Sequence, residues 1–244
     1  MNEWTNMNET GYRTAVQAEN EMSLQRYMAS VMRRVYGKMT LGLLVTAITS
    51  LLVVSSDAAL QLLFSSRATL WILVAVELGL VFSLSAAIDK MSNGVATMMF
   101  YLYSMVNGLT LTPIFLAYTG TSLAATFGIT AATFGAMTIF GYVTRQDLSK
   151  FGSILFMGLI GLIVCSLINI FLLHSTMFDL VVSAVGVLIF VGLTAWDTQY
   201  IKQMCAESDQ SMVSKVATMG ALRLYLDFIN LFLYLLRFFG VRRD

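Results

Sequence analysis

Seven apolar stretches divide the chain, at about 39–56, 70–88, 95–118, 123–143, 151–173, 178–201 and 216–239. Each approaches the roughly 20 residues that a helix needs to cross a bilayer. Polar joints separate them: 57–67, the turn around Asp89, Lys90, Ser92, Asn93 and Gly94, the pair Gly120 and Thr121, the loop TRQDLSK at 144–150, and a charged loop at 202–215. The third stretch holds the only proline, Pro113, which is expected to kink its helix and free a carbonyl. The fourth carries Ala124, Gly128, Ala132 and Gly135, a small-residue row that would let another backbone come close. The pattern predicts an all-α membrane protein, a seven-helix bundle. Ahead of it, 1–21 reads as mobile and polar. Residues 22–38, with Arg26, Arg33, Arg34 and Lys38, read as a basic helix on the membrane surface. The expected division is therefore a polar tail and basic lead-in at 1–38, a transmembrane domain at 39–239, and a basic tail at 240–244.

The seventh stretch breaks the apolar pattern in a regular way. Residues 222–237 read LRLYLDFINLFLYLLR, and Arg223, Asp227, Asn230 and Tyr234 follow at steps of four, three and four. That places them on one helix face. An acid in lipid is costly, so this face should meet protein or a water-filled cavity, with the other helices around it. Two more acids lie in apolar stretches, Glu77 in the second and Asp197 near the end of the sixth. Each has a plain account: a solvated helix-end acid for Asp197, an ion pair with Arg223 for Asp227, and a buried hydrogen bond for Glu77. A sharper account joins Asp197 to Asp227 across adjacent helices. The two would then share a proton and sense pH, and when deprotonated their oxygens would suit calcium.

Composition narrows the classes. The chain is 57% hydrophobic and 12% charged, with a mean hydropathy of +0.75, where a soluble domain is about 25% charged. A net charge of +1 argues against a nucleic-acid partner. The N-terminal stretch lacks the short apolar core of a secretory signal. His174 is the only histidine, and it reads as a helix-end residue near the interface. Cys165 and Cys205 fall in unlike settings, so neither a disulfide nor a resident metal is expected. No Gly-rich phosphate loop with a lysine is present, and no cofactor is expected. The sixteen methionines read as filler, and Arg33, Arg34 and Lys38 as lipid anchors.

Alternating loops put most Lys and Arg on the side of the N-terminus, which is therefore expected in the cytoplasm. Arg237, Arg242 and Arg243 conflict with this if the seventh stretch crosses fully. A full span and a re-entrant segment wrapped in protein both stand at this point.

Four stretches together are similar to the Bax-inhibitor family of membrane proteins, in its bacterial branch: AVELGLVFSLS at 75–85, TFGITAATFGAMTIFGYVTRQDLS at 126–149, GLTAWDTQYIK at 192–202 and ALRLYLDFINLFLYLLR at 221–237. The resemblance runs from about Met28 to Gly240. It implies seven helices with the last one central, and a pH-dependent calcium leak governed by an aspartate pair, here Asp197 and Asp227. Glu77 matches an acid of the second helix implicated in the pore. Trp196 departs from the tyrosine usual before the first aspartate. Where relatives often place an arginine late in the second helix, this chain has Ala86, Ala87 and Ile88. Arg223 is then the candidate substitute, on spacing alone.

Three functions follow as expectations. The first is a passive, proton-regulated calcium leak in the bacterial inner membrane. Asp197 and Asp227 would be ion ligands and pH sensor, with Glu77, Arg223 and Asn230 lining the pore, and with calcium, protons and the lipid bilayer as partners. The second is a regulator that binds a membrane quality-control protease through the stretch 1–21. The third is an intramembrane aspartyl protease, disfavoured because Leu224, Tyr225 and Leu226 stand where a glycine-opened approach would precede the acid. No enzyme is expected.

Overall fold

The computed structural model describes residues 3–208 and 212–243 of the chain, and the described residues are almost wholly helical. The side chains of 1–18, 20 and 21, on which the proposed partner-binding stretch falls, lie outside the described residues. Eight α-helices follow in order: α1 (Glu3–Val54), α2 (Asp57–Phe64), α3 (Arg67–Ala87), α4 (Asn93–Ala117), α5 (Gly120–Val143), α6 (Ser149–Ile168), α7 (Thr176–Glu207) and α8 (Val213–Phe239). Seven of them contain a stretch long and apolar enough to cross a membrane.

The expected separation of tail, basic lead-in and first span gives way to one continuous helix. No proline interrupts α1, and Gly37 and Gly42 sit inside it. At the joint 57–67, Ser56 accepts from the Ala59 amide at 3.3 Å and starts the short helix α2. The joint expected at 202–215 is also shorter, because α7 runs on to Glu207. Between α6 and α7 a π-helical turn, Asn169–Leu173, ends at His174, whose φ of 49° lies in the left-handed region. Ser175 then caps α7, and Asn169 Oδ1 accepts from the Ser175 amide at 3.0 Å.

α8 is the axis. Tyr225, Leu224, Leu231, Leu222 and Leu236 on it are all but inaccessible. It packs against α1, α4, α5 and α7, while α3 leans on α4 and α6 on α7. The last helix is central, as the polar stripe requires. The outer faces of α3 and α6 are apolar and exposed, with Trp71, Phe82, Ile163 and Val164 among them. In a membrane they face lipid.

α8 is unbroken, so the re-entrant alternative is set aside in favour of a full crossing. Its far end meets the α4–α5 turn, where the Thr119 amide donates to Val241 O at 3.0 Å and the Arg243 amide to Ala117 O at 2.9 Å. The expected tail at 240–243 is thus tied down by backbone hydrogen bonds.

The fourth-span row also departs from expectation. Ala124, Gly128 and Ala132 face outward, and a Cβ at Gly128 or Gly135 would meet nothing within 4 Å. The inner face of α5 is Ser122, Thr126, Thr130, Phe134 and Gly141. Gly141 makes the close approach, its Cα resting against the backbone of Ala195 on α7. Small residues alone do not tell which face is buried.

Candidate functional site at the α7–α8 seam

α7 and α8 run antiparallel and packed along their length, which brings Asp197 and Asp227 to one place. Asp197 is 6% exposed and Asp227 4%, so the solvated account of Asp197 fails: the α7 helix continues ten residues beyond it and keeps it inside the bundle. Their carboxyl groups lie within hydrogen-bonding reach of each other. Arg223, one turn before Asp227, donates to Asp197 Oδ1 at 2.7 Å. The ion pair expected within α8 is therefore made across the seam. Asp227 Oδ2 is buried and has no hydrogen-bond donor among the described residues.

The guanidinium is held from outside by two aromatic rings. Trp196 and Tyr200 stack with centroids 5.6 Å apart, and Arg223 sits 4.4 Å from the Tyr200 centroid and 5.9 Å from that of Trp196. These rings sit one residue before Asp197 and three after it. The tryptophan that departs from the family pattern thus forms part of the arginine's seat.

The stripe continues toward the other end of the bundle. Tyr234 stacks on Phe190 at 5.8 Å and covers Gly186, and Arg237 donates to Asp179 at 2.6 Å. Asn230 lies on the stripe, but its Nδ2 donates to Leu226 O of its own helix at 2.8 Å.

Glu77 is elsewhere. Tyr225 is two residues from Asp227, about 200° around the helix, and so points the other way. Its hydroxyl donates to Asn107 Oδ1 at 3.0 Å and meets the Thr46 hydroxyl at 2.5 Å. Asn107 Nδ2 in turn donates to Glu77 Oε1 at 3.2 Å. This second network ties α1, α3, α4 and α8, and the plain account of Glu77 as a packing hydrogen bond describes its geometry. Tyr225 and Thr46 carried no signal in sequence, because each reads as ordinary apolar-helix content.

Lys38 also departs from its surface reading. Its ammonium donates to Thr97 at 2.7 Å and Thr218 at 2.6 Å, which ties α1 to α4 and α8 at the end of the bundle nearer the N-terminus. Arg33 and Arg34 remain exposed. Cys165 and Cys205 are both free. Among the described residues no three His, Cys, Asp or Glu gather as metal ligands.

Comparison with known proteins finds likenesses over most of the chain. The model of the family described as "Inhibitor of apoptosis-promoting Bax1" matches residues 28–244. The chain is 52% identical over 223 residues to the "Inner membrane protein YbhL" of Escherichia coli K12, covering 90% of this chain and 93% of that one. It is 43% identical over 213 residues to an uncharacterized protein of Borreliella burgdorferi, covering 86% and 91%. An uncharacterized membrane protein of Streptococcus pyogenes serotype M1 is 36% identical over 227 residues, covering 92% and 96%.

Proposed function

The chain belongs to the Bax-inhibitor family of membrane proteins, and on that premise we propose that it is a pH-sensitive calcium leak gated by a proton shared between Asp197 and Asp227. One observation carries the reading: two buried carboxyl groups meet at a seam between the central helix and its main neighbour, with a single guanidinium beside them. With one proton between the acids, the cluster of Asp197, Asp227 and Arg223 is neutral, and the orphaned oxygen of Asp227 has its partner. Loss of that proton leaves one net negative charge inside the bundle. The carboxylates then repel each other across the seam and attract a hard cation. Two carboxylates offer at most four oxygens, fewer than the six to eight that calcium prefers, which suits a passing ion rather than a resident one.

The seam carries polar side chains on either side of the pair. Toward one end it runs past Arg223 on its aromatic seat. Toward the other it runs past Asn230 and Tyr234 to the Asp179–Arg237 ion pair. We place the protein in the bacterial inner membrane with its N-terminus in the cytoplasm, on the strength of its likeness to an inner membrane protein of Escherichia coli and of the distribution of Lys and Arg. The unbroken, deeply packed helix around Asp227 favours this reading over proteolysis, since a protease needs backbone room beside its acid to admit a substrate strand.

The test is calcium entry into dye-loaded liposomes from about pH 6 to 8, for wild type and for Asp197→Asn and Asp227→Asn. Flux that varies with pH in the wild type and is level in either variant supports the gate. Variation that persists in both discards it, and absence of flux at every pH discards the leak.

A further inference from the structure

The end of the bundle away from the N-terminus holds a polar hollow of about 480 Å³. Separate parts of the chain meet around it: Tyr118 just after α4, His174 in the α6–α7 turn, Thr176 and Asp179 at the start of α7, and Arg237 and Arg242 at and beyond the end of α8. Asp179 and Arg237 pair with each other at 2.6 Å. Arg242 has no acid partner among the described residues, so the charged groups of the lining leave one positive charge over.

Arg242 lies in the short tail 240–244, and a chain end is ordinarily loose because ordering it costs conformational entropy. Here the backbone on both sides of the arginine is tied down. The Val241 amide donates to Ser122 Oγ at 2.8 Å, Val241 O accepts from the Thr119 amide, and the Arg243 amide donates to Ala117 O. The guanidinium stands over the Tyr118 ring, 6.0 Å from its centroid. Gly240 makes room for that ring, since a Cβ there would strike it. A cation is thus fixed at the edge of the hollow.

The rim shows what the cation meets. Leu173, Met177 and Val241 are strongly exposed apolar side chains, next in sequence to His174, Thr176 and Arg242. The hollow is polar inside and oily at its rim, and it lies where spans end, at the level where acyl chains give way to headgroups. A free anion gains nothing from such a rim, whereas a phospholipid covers it and takes apolar surface out of water. A phosphodiester carries one negative charge, which matches the one left over, and a guanidinium meets phosphate oxygens in a two-pronged hydrogen bond.

We propose that this hollow is a headgroup site for one phospholipid of the adjoining leaflet, with the phosphodiester on Arg242 and the Thr176 hydroxyl and the acyl chains along Leu173, Met177 and Val241. The site stands apart from the calcium leak, because neither Asp197 nor Asp227 lines it.

The purified full chain, stripped of lipid in detergent, is titrated with dioleoylphosphatidylglycerol, and the first lipid bound is followed by native mass spectrometry. Arg242→Gln is expected to weaken that binding about tenfold, the size of one charge-assisted contact. Arg243→Gln removes the same charge one residue on, from a side chain that does not line the hollow, and should leave binding unchanged. Thr176→Val leaves the tail untouched and should weaken binding about threefold. Dioleoylglycerol has the chains without the phosphate, and glycerophosphoglycerol the phosphate without the chains; each should bind at least about tenfold more weakly than the whole lipid. Equal effects of Arg242→Gln and Arg243→Gln would reduce the site to diffuse surface charge. Dioleoylglycerol binding as tightly as the lipid would reduce it to the apolar rim, and glycerophosphoglycerol doing so would assign it to a free phosphate ester. Each of these outcomes overturns the proposal, as does binding that neither Arg242→Gln nor Thr176→Val weakens.

Discussion

Arg223 donates to Asp197 across the seam at 2.7 Å, although Asp227 stands one turn away on its own helix. The arginine therefore joins α7 to α8. Arg223→Gln removes the charge that offsets a carboxyl only 8% exposed at its side chain. A loss of about 3 kcal/mol follows if Asp197 stays ionised, since an uncompensated buried charge is the costly state. The thermal midpoint of the purified protein in detergent reads this loss. Adding Asp197→Asn to Arg223→Gln should restore most of it, because the orphaned charge goes with its partner.

The Trp196–Tyr200 stack predicts a gentler effect. Tyr200→Leu removes the nearer ring beneath the guanidinium and is expected to cost about 1 kcal/mol. Asp197 stays paired, so the pH dependence of calcium flux should keep its shape while its midpoint moves. A variant with no midpoint shift would show that the aromatic seat is packing alone.

The second network offers a test of what holds the central helix. Tyr225→Phe deletes a hydroxyl bonded to Thr46 and Asn107. Hydrogen bonds between membrane helices are worth about 0.6 kcal/mol each on average, so a loss near 1 kcal/mol is expected. Glu77→Gln keeps a side-chain acceptor for Asn107 and should be nearly silent in stability. A change in flux for Glu77→Gln at unchanged stability would give that acid a part in conduction as well.

Two glycines on one helix should answer oppositely to the same change. At Gly141 a Cβ would run into the backbone of Ala195, which cannot turn aside as a flexible side chain would. Gly141→Ala is expected to cost about 1–3 kcal/mol through strained α5–α7 packing. Gly128→Ala meets open space and should be neutral or slightly stabilising, from helix propensity. Thermal midpoints of the two variants side by side decide it.

The full crossing of α8 fixes a topological outcome. In a cysteine-free background, Glu19→Cys and Val241→Cys should react with an impermeant maleimide from opposite faces of the membrane. Reaction from one face would restore the re-entrant geometry.

The sequence made seven spans and a central last helix legible, because each rests on periodicity: an apolar run of known length, or polar residues recurring on one face. The pairing of Asp197 with Asp227 is one of several accounts that the residues leave open, and it rests otherwise on the family resemblance. What it hid rests on relations between helices. The stripe in α8 shows which face is polar without showing that Arg223 prefers Asp197. Gly128 and Gly141 look alike in sequence, and only one meets a neighbour. Lys38 looks like its neighbours Arg33 and Arg34, yet its ammonium is placed between two threonines of other helices. The polar composition of 1–21 reads as a mobile tail and the charges of 22–38 as a separate surface helix, yet no proline interrupts the chain between 3 and 54 and one helix runs through all of it.

The burial of α8 also constrains how the molecule is made. A span enters a bilayer readily when its surface is oily all round, and α8, with Arg223, Asp227 and Asn230 on one side, is a poor substrate for insertion by itself. In the chain it comes after the six spans that enclose or buttress it. During synthesis those six are already available when α8 emerges, so the socket exists before its occupant. Moving this segment to the front of the chain would ask the insertion machinery to accept a charged helix with no companions, and biogenesis would suffer even though every contact of the finished bundle is unchanged.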